Sequence, residues 1–190
     1  MLDFASGGPP HRRRFHLVES SIFALLMLVG CSPTFNWREL RPEGTPLQAL
    51  MPCKPETATR PVALDGGALN ELRMYSCDTG GLTFAVSWLE LGDSARVPAA
   101  LNGWRRASLG AVRVDAARAE DPAAQWSGSV PGAAQALGLT VQGTDYQGKA
   151  VQMRALHFVR GTQVYQAAIY GPSLNDSGVI ATFFDGLKLP

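Results

Sequence analysis

Leu82-Thr83-Phe84-Ala85-Val86-Ser87-Trp88-Leu89 is the stretch that decides the fold. Leu82, Phe84, Val86 and Trp88 fall on one side of an extended chain, and Thr83, Ala85 and Ser87 fall on the other. Apolar residues thus alternate with small or polar ones at the period of two that a β-strand imposes. The pattern predicts a half-buried antiparallel strand. Upstream, residues 61–65 and 69–77 read as strands around Gly66-Gly67, a pair suited to a tight hairpin. Gly80-Gly81 supplies the next turn. Downstream the period changes. Val97, Leu101, Trp104 and Ser108 recur at spacings of four and three, which predicts a helix over 97–109 with Leu101 and Trp104 on the sheet and Arg105 and Arg106 turned away. Pro98 fits only the first turn, and Gly110 offers a stop.

Residues 113–131 are rich in Ala and broken at Asp121-Pro122 and Pro131-Gly132, so they read as a strand and a loop without clear placement. Three further strands follow at 136–143, 150–159 and 162–170. The first places Leu137, Leu139 and Val141 on one face, and Arg160-Gly161 joins the last two as a hairpin. Ser173 and Asp176 resemble a capping box, and Ile180, Phe183, Phe184 and Leu187 form the apolar stripe of a closing helix. The order is three strands, a helix, about three strands and a terminal helix. That order favours an α+β fold, an antiparallel sheet with two main helices packed on it.

The front of the chain has a different character. Arg12-Arg13-Arg14 precede an apolar run of about ten residues, half the roughly 20 that a spanning helix needs, and this is the layout of an export signal. The run ends in Leu28-Val29-Gly30-Cys31, which resembles the lipobox of bacterial lipoproteins. The resemblance implies cleavage before Cys31, diacylation of its sulfur (usually with a third, palmitate-like chain on nitrogen) and a stable membrane anchor. One chain alone would hold only marginally at about 0.8 kcal/mol per buried methylene. Ser32 after the cysteine, in the enterobacterial sorting scheme, directs such a protein to the periplasmic face of the outer membrane. The expected organisation is therefore a signal peptide over 1–30, a lipidated N-terminus and tether over 31–46, and one domain over 47–190. Phe35 and Trp37 in the tether are expected to dock on that domain.

With Cys31 assigned to lipid, Cys53 and Cys77 remain, and in an exported chain such a pair is most simply a disulfide. The loop it closes, about 25 residues, would contribute roughly 3.5 kcal/mol by the chain-entropy argument. A redox pair or a metal site are the alternatives. Redox pairs usually stand as C-x-x-C at a helix start, and the chain after residue 30 holds a single histidine, His157.

Charge bounds the partners. Three of the 17 basic and two of the 16 acidic residues lie in the signal, which leaves 14 of each. With no basic stripe there is no footprint for nucleic acid and no polybasic patch for anionic lipid. No G-x-S-x-G elbow, phosphate loop or H-E-x-x-H helix occurs, and the sequence calls for no cofactor and no metal. The carboxylates Glu120, Asp121, Asp176 and Asp185 read as solvated or capping positions. A Ser/His/Asp site would have to use His157, on a strand face where a lone histidine usually packs. Trp88, Tyr165 and Tyr170 could line a ligand groove.

A second resemblance rests on Leu50-Met51-Pro52-Cys53-Lys54-Pro55 and Phe183-Phe184-Asp185-Gly186-Leu187-Lys188-Leu189, which are similar to the ends of PsbP-like α/β domains. It implies an antiparallel sheet between helices and no activity of its own. The chain is thus expected to be a non-catalytic envelope lipoprotein that contacts other envelope proteins or cell-wall components. A small-ligand-binding lipoprotein is the alternative, and an envelope hydrolase acting through His157 the third reading.

Overall fold

Strong alternation in the middle of the chain builds one sheet. The computed structural model describes residues 33–190, and from Thr34 onward these form one compact unit. Strands β3 (Glu56–Val62), β4 (Asn70–Thr79), β5 (Leu82–Glu90), β6 (Gln125–Trp126), β7 (Gln135–Thr144), β8 (Ala150–Arg160) and β9 (Gln163–Gly171) pair antiparallel in the order β3-β4-β5-β9-β8-β7-β6. The chain therefore builds one edge hairpin first and returns through β9 to the middle. Helix α1 (Val97–Ala111) covers one face of the sheet. Helix α2 (Ser177–Asp185) and a two-stranded ribbon of β1 (Arg38–Leu40) and β2 (Ala49–Met51) cover the other. Fold class agrees with the sequence pattern: α+β, with a large antiparallel sheet and two helices. The element order differs in part, since β1, β2 and β6 add to the strands expected, and the strand read at 61–65 lies instead at Glu56–Val62 and reaches β4 through a longer loop.

Strand β5 is not half-buried. Phe84, Val86 and Trp88 face α2, while Ala85, Ser87 and Leu89 are buried on the α1 side. The small residues signal close approach rather than solvent. Ala85 pairs with Ala168, and Ala168 with Ala155, so a row of alanines crosses the middle of the sheet on that face.

The helix over residues 97–109 runs two residues further, through Gly110. It ends because Arg113 takes a left-handed conformation at φ 56°, with Arg113 N donating to Gly110 O and Val114 N to Leu109 O. This is the double hydrogen bond of a Schellman end, with arginine where glycine is usual. Nor does Arg105 turn fully away: it is half-buried, and one of its guanidinium nitrogens donates to Asn102. The proposed Ser173–Asp176 box is replaced by a single cap, in which Asp176 accepts from Val179 N at 3.0 Å. The Ala-rich stretch holds a 3-10 turn over Ala116–Glu120, capped by Asp115, and the two-residue edge strand β6. The last hairpin turns on Gly161-Thr162, one residue later than the sequence suggested.

Residues 34–46, expected as a tether, lie along the domain. Phe35 and Trp37 stack 6.3 Å apart, and both meet Phe84 edge-on at 6.4 Å. A bridge between Gln48 and Lys188 then fastens the ribbon to the chain beyond α2. Cys53 and Cys77 tie the end of the ribbon to β4 through a disulfide, with Cα atoms 6.0 Å apart. The signal segment and Cys31 lie outside the described residues.

Candidate functional site

Polar groups buried among apolar neighbours must find partners, so their pattern shows what chemistry the fold can hold. Beneath α1, Gln166 sits beside His157 in the pairing of β8 and β9, and Ser108 comes down from the helix. All three are buried, His157 with 1% of its surface exposed. Gln166 Nε2 donates to Ser108 Oγ at 2.6 Å and lies 3.0 Å from His157 Nε2. Ser108 Oγ donates to Trp104 O at 2.8 Å. The serine proton is therefore already committed, and His157 Nε2 acts as an acceptor from the amide. That places the ring proton on Nδ1, which is buried without a hydrogen-bond partner among the described residues.

Burial, aided by the nearby Arg105 cation, pushes the His157 pKa down to about 3. A general base works best with a pKa near the operating pH and with a carboxylate to orient it. His157 has neither, and the Trp104 ring stands 6.2 Å away at its edge. The arrangement can fix the register between helix and sheet. It gives no route to substrate.

The three proposed groove residues do not converge. Trp88 and Tyr165 are cross-strand neighbours on the α2 face. Tyr165 is sealed: its ring stacks on Phe158 at 5.0 Å, and its hydroxyl donates to Gln163 and shares a 2.9 Å hydrogen bond with Thr45. Trp88 stacks on Tyr75 at 5.6 Å and borders a polar pocket of about 340 Å³ with Glu43, Thr57 and Arg73. Tyr170 lies on the opposite face. Its hydroxyl pKa is pushed up to about 12 by burial, and it lines a second pocket of about 460 Å³ with Val112, Val151 and Pro172.

This larger pocket is the best candidate binding site. It opens where the sheet extends past the end of α1, between the Gly80-Gly81 turn and the β7–β8 turn. Its walls are mostly apolar, with Asp145 and Lys149 at the rim. Sequence reasoning found Tyr170 by residue type but could not see the pocket, because its walls come from four separate segments. Two other polar features serve the scaffold. Arg96 donates to Asp65 at 2.6 Å and to Asn70 at 2.8 Å, which pins the β3–β4 loop to the start of α1 and holds the Asp65 carboxyl down at about 2. Arg154 lies over the Trp126 ring at 4.2 Å, and burial pushes its pKa down.

Among the described residues no group of His, Cys, Asp or Glu is placed to hold a metal ion, and no helix is long and apolar enough to cross a membrane. Comparison of the chain with known protein families, curated proteins and solved structures finds no match.

Proposed function

We propose that the chain is an envelope lipoprotein, cleaved before Cys31, whose α+β domain works as a non-catalytic interaction or assembly module. The observation that carries the reading is the agreement of two boundaries. The lipobox-like Leu28-Val29-Gly30-Cys31 ends three residues before Thr34, where the compact unit begins. Cleavage there removes the whole export signal and leaves every element of the domain intact. The inward-turned Ser108–His157–Gln166 cluster supports a role without catalysis, since its only serine–histidine contact is sealed under α1. Ser32 favours the periplasmic face of the outer membrane, where other envelope proteins and wall components are the available partners. A PsbP-like layer arrangement is part of the same proposal, carried by the chain ends and the element order.

Fractionation of cells that express the full chain tests it. The wild-type protein should sediment with membranes, and Cys31→Ser should abolish anchoring. A variant that stays on the membrane as firmly as wild type would overturn the reading. The pocket at Tyr170 favours a second reading, a small-ligand-binding lipoprotein, which predicts that a bulky Ala111→Trp substitution at the pocket wall displaces a co-purifying apolar ligand.

A further inference from the structure

The end of the domain that carries the larger pocket also receives the N-terminal strap. Thr79 Oγ1 donates to Thr34 O, and Phe35 lies so close to Gly80 that a side chain there would collide with its ring. Gly81, the next residue, lines the pocket. Thr34 stands three positions after Cys31, and an extended chain spans at most about 3.5 Å per residue, so the reach is about 10 Å. A lipid on Cys31 therefore leaves no long spacer, and it draws this end of the sheet towards the bilayer.

The surface found there suits that position. Tyr146, in the turn between β7 and β8, is 80% exposed, and Arg113 donates to its carbonyl oxygen. An exposed tyrosine flanked by Arg113 and Lys149 is the residue set that settles at the level of lipid headgroups. The mostly apolar pocket opens between this turn and Gly171-Pro172. Among the described residues, the other large exposed apolar side chain, Leu69, sits in the β3–β4 loop at the opposite end of the strands.

From these juxtapositions we infer that the β4–β5 and β7–β8 turns form a membrane-docking surface, with Tyr146 at the phospholipid headgroups and the pocket beside Tyr170 open to an acyl chain of a bilayer phospholipid. The inference rests on the lipidation of Cys31 proposed above. Because charge on this end is mixed, contact follows from tethering and apolar fit rather than from attraction to anionic lipid.

The test places a photoreactive benzoylphenylalanine singly at positions 146, 150 and 69 of the full chain, with illumination of intact membranes and mass analysis of the labelled peptides. All three sites are exposed, so the fold tolerates the probe. Phospholipid adducts at 146 and 150, several-fold above those at 69, are expected. An acylated Cys31 with equal or absent adducts at 146 and 150 would overturn the docking surface and leave the lipoprotein reading standing. An unacylated Cys31 would overturn both.

Discussion

The two faces of the sheet are built on different principles. The α2 face is filled by large rings: Phe84, Phe158, Tyr165 and Phe183 are almost entirely buried there. The α1 face has a row of alanines at its middle and the Ser108–His157–Gln166 seam beneath the helix. Large rings supply apolar area, at about 25 cal/mol per Å² removed from water. Small residues and a polar seam, hydrogen-bonded except at His157 Nδ1, supply little area but allow close approach and permit one helix position. The α2 face thus draws its apolar area from rings, whereas the α1 face combines aliphatic residues such as Leu89, Leu101 and Leu109 with a polar seam that fixes the position of the helix.

Substitutions can break that contrast, beginning with the strongest. Phe158→Ala on the α2 face should cost about 3–5 kcal/mol by urea titration, since a buried ring leaves a cavity its neighbours cannot fill. A loss under about 1 kcal/mol would mean that burial of this ring contributes little stability. Opening the Cys53–Cys77 bridge in the double variant Cys53→Ser/Cys77→Ser should cost about 2–4 kcal/mol, as 24 residues of separation lose their cross-link. Gly103→Ala, on the α1 side, should cost about 1–3 kcal/mol through overpacking. Helix propensity alone predicts a gain of about 1 kcal/mol. The carbonyl of Leu64 decides the sign, because a β-carbon at residue 103 would stand only 1.6 Å from it.

The polar seam has a pH signature. His157 has a pKa of about 3 when folded, against an ordinary value of 6.5. As pH falls below about 6.5 the unfolded chain binds a proton here and the folded protein does not, so stability declines down to about pH 3. Asp65, held at about 2 against 3.8, adds its own loss only below about pH 4. Unfolding titrations between pH 7 and 4 should therefore show a slope in wild type that His157→Gln removes. An unchanged slope would place the titrating group elsewhere.

Much of the sheet was legible because β5 and β7 alternate, β8 and β9 are apolar runs bounded by turn residues, and the Gly80-Gly81 turn marks a hairpin directly. What misled was the meaning of small residues. Ala85 and Ser87 read as a solvent face, yet alanine and serine are also what a close-packed helix requires. The end of α1 was hidden because Arg113 takes a conformation that glycine normally signals. Arg113→Gly should accordingly stabilise by about 1 kcal/mol, the penalty that a left-handed non-glycine residue carries. The candidate site was the least legible part, since Tyr170 gains its pocket from turns and a helix end far apart in sequence.

In the proposed role, lipid on Cys31 holds this domain at a membrane while the serine–histidine contact under α1 stays sealed and structural. Intact mass of the protein purified from native membranes, with and without reduction and alkylation, tests the anchor most directly. The expected chain begins at Cys31, carries acyl chains, and takes up alkyl groups on two cysteines only after reduction. A chain that begins elsewhere, or carries no acyl group, would contradict it.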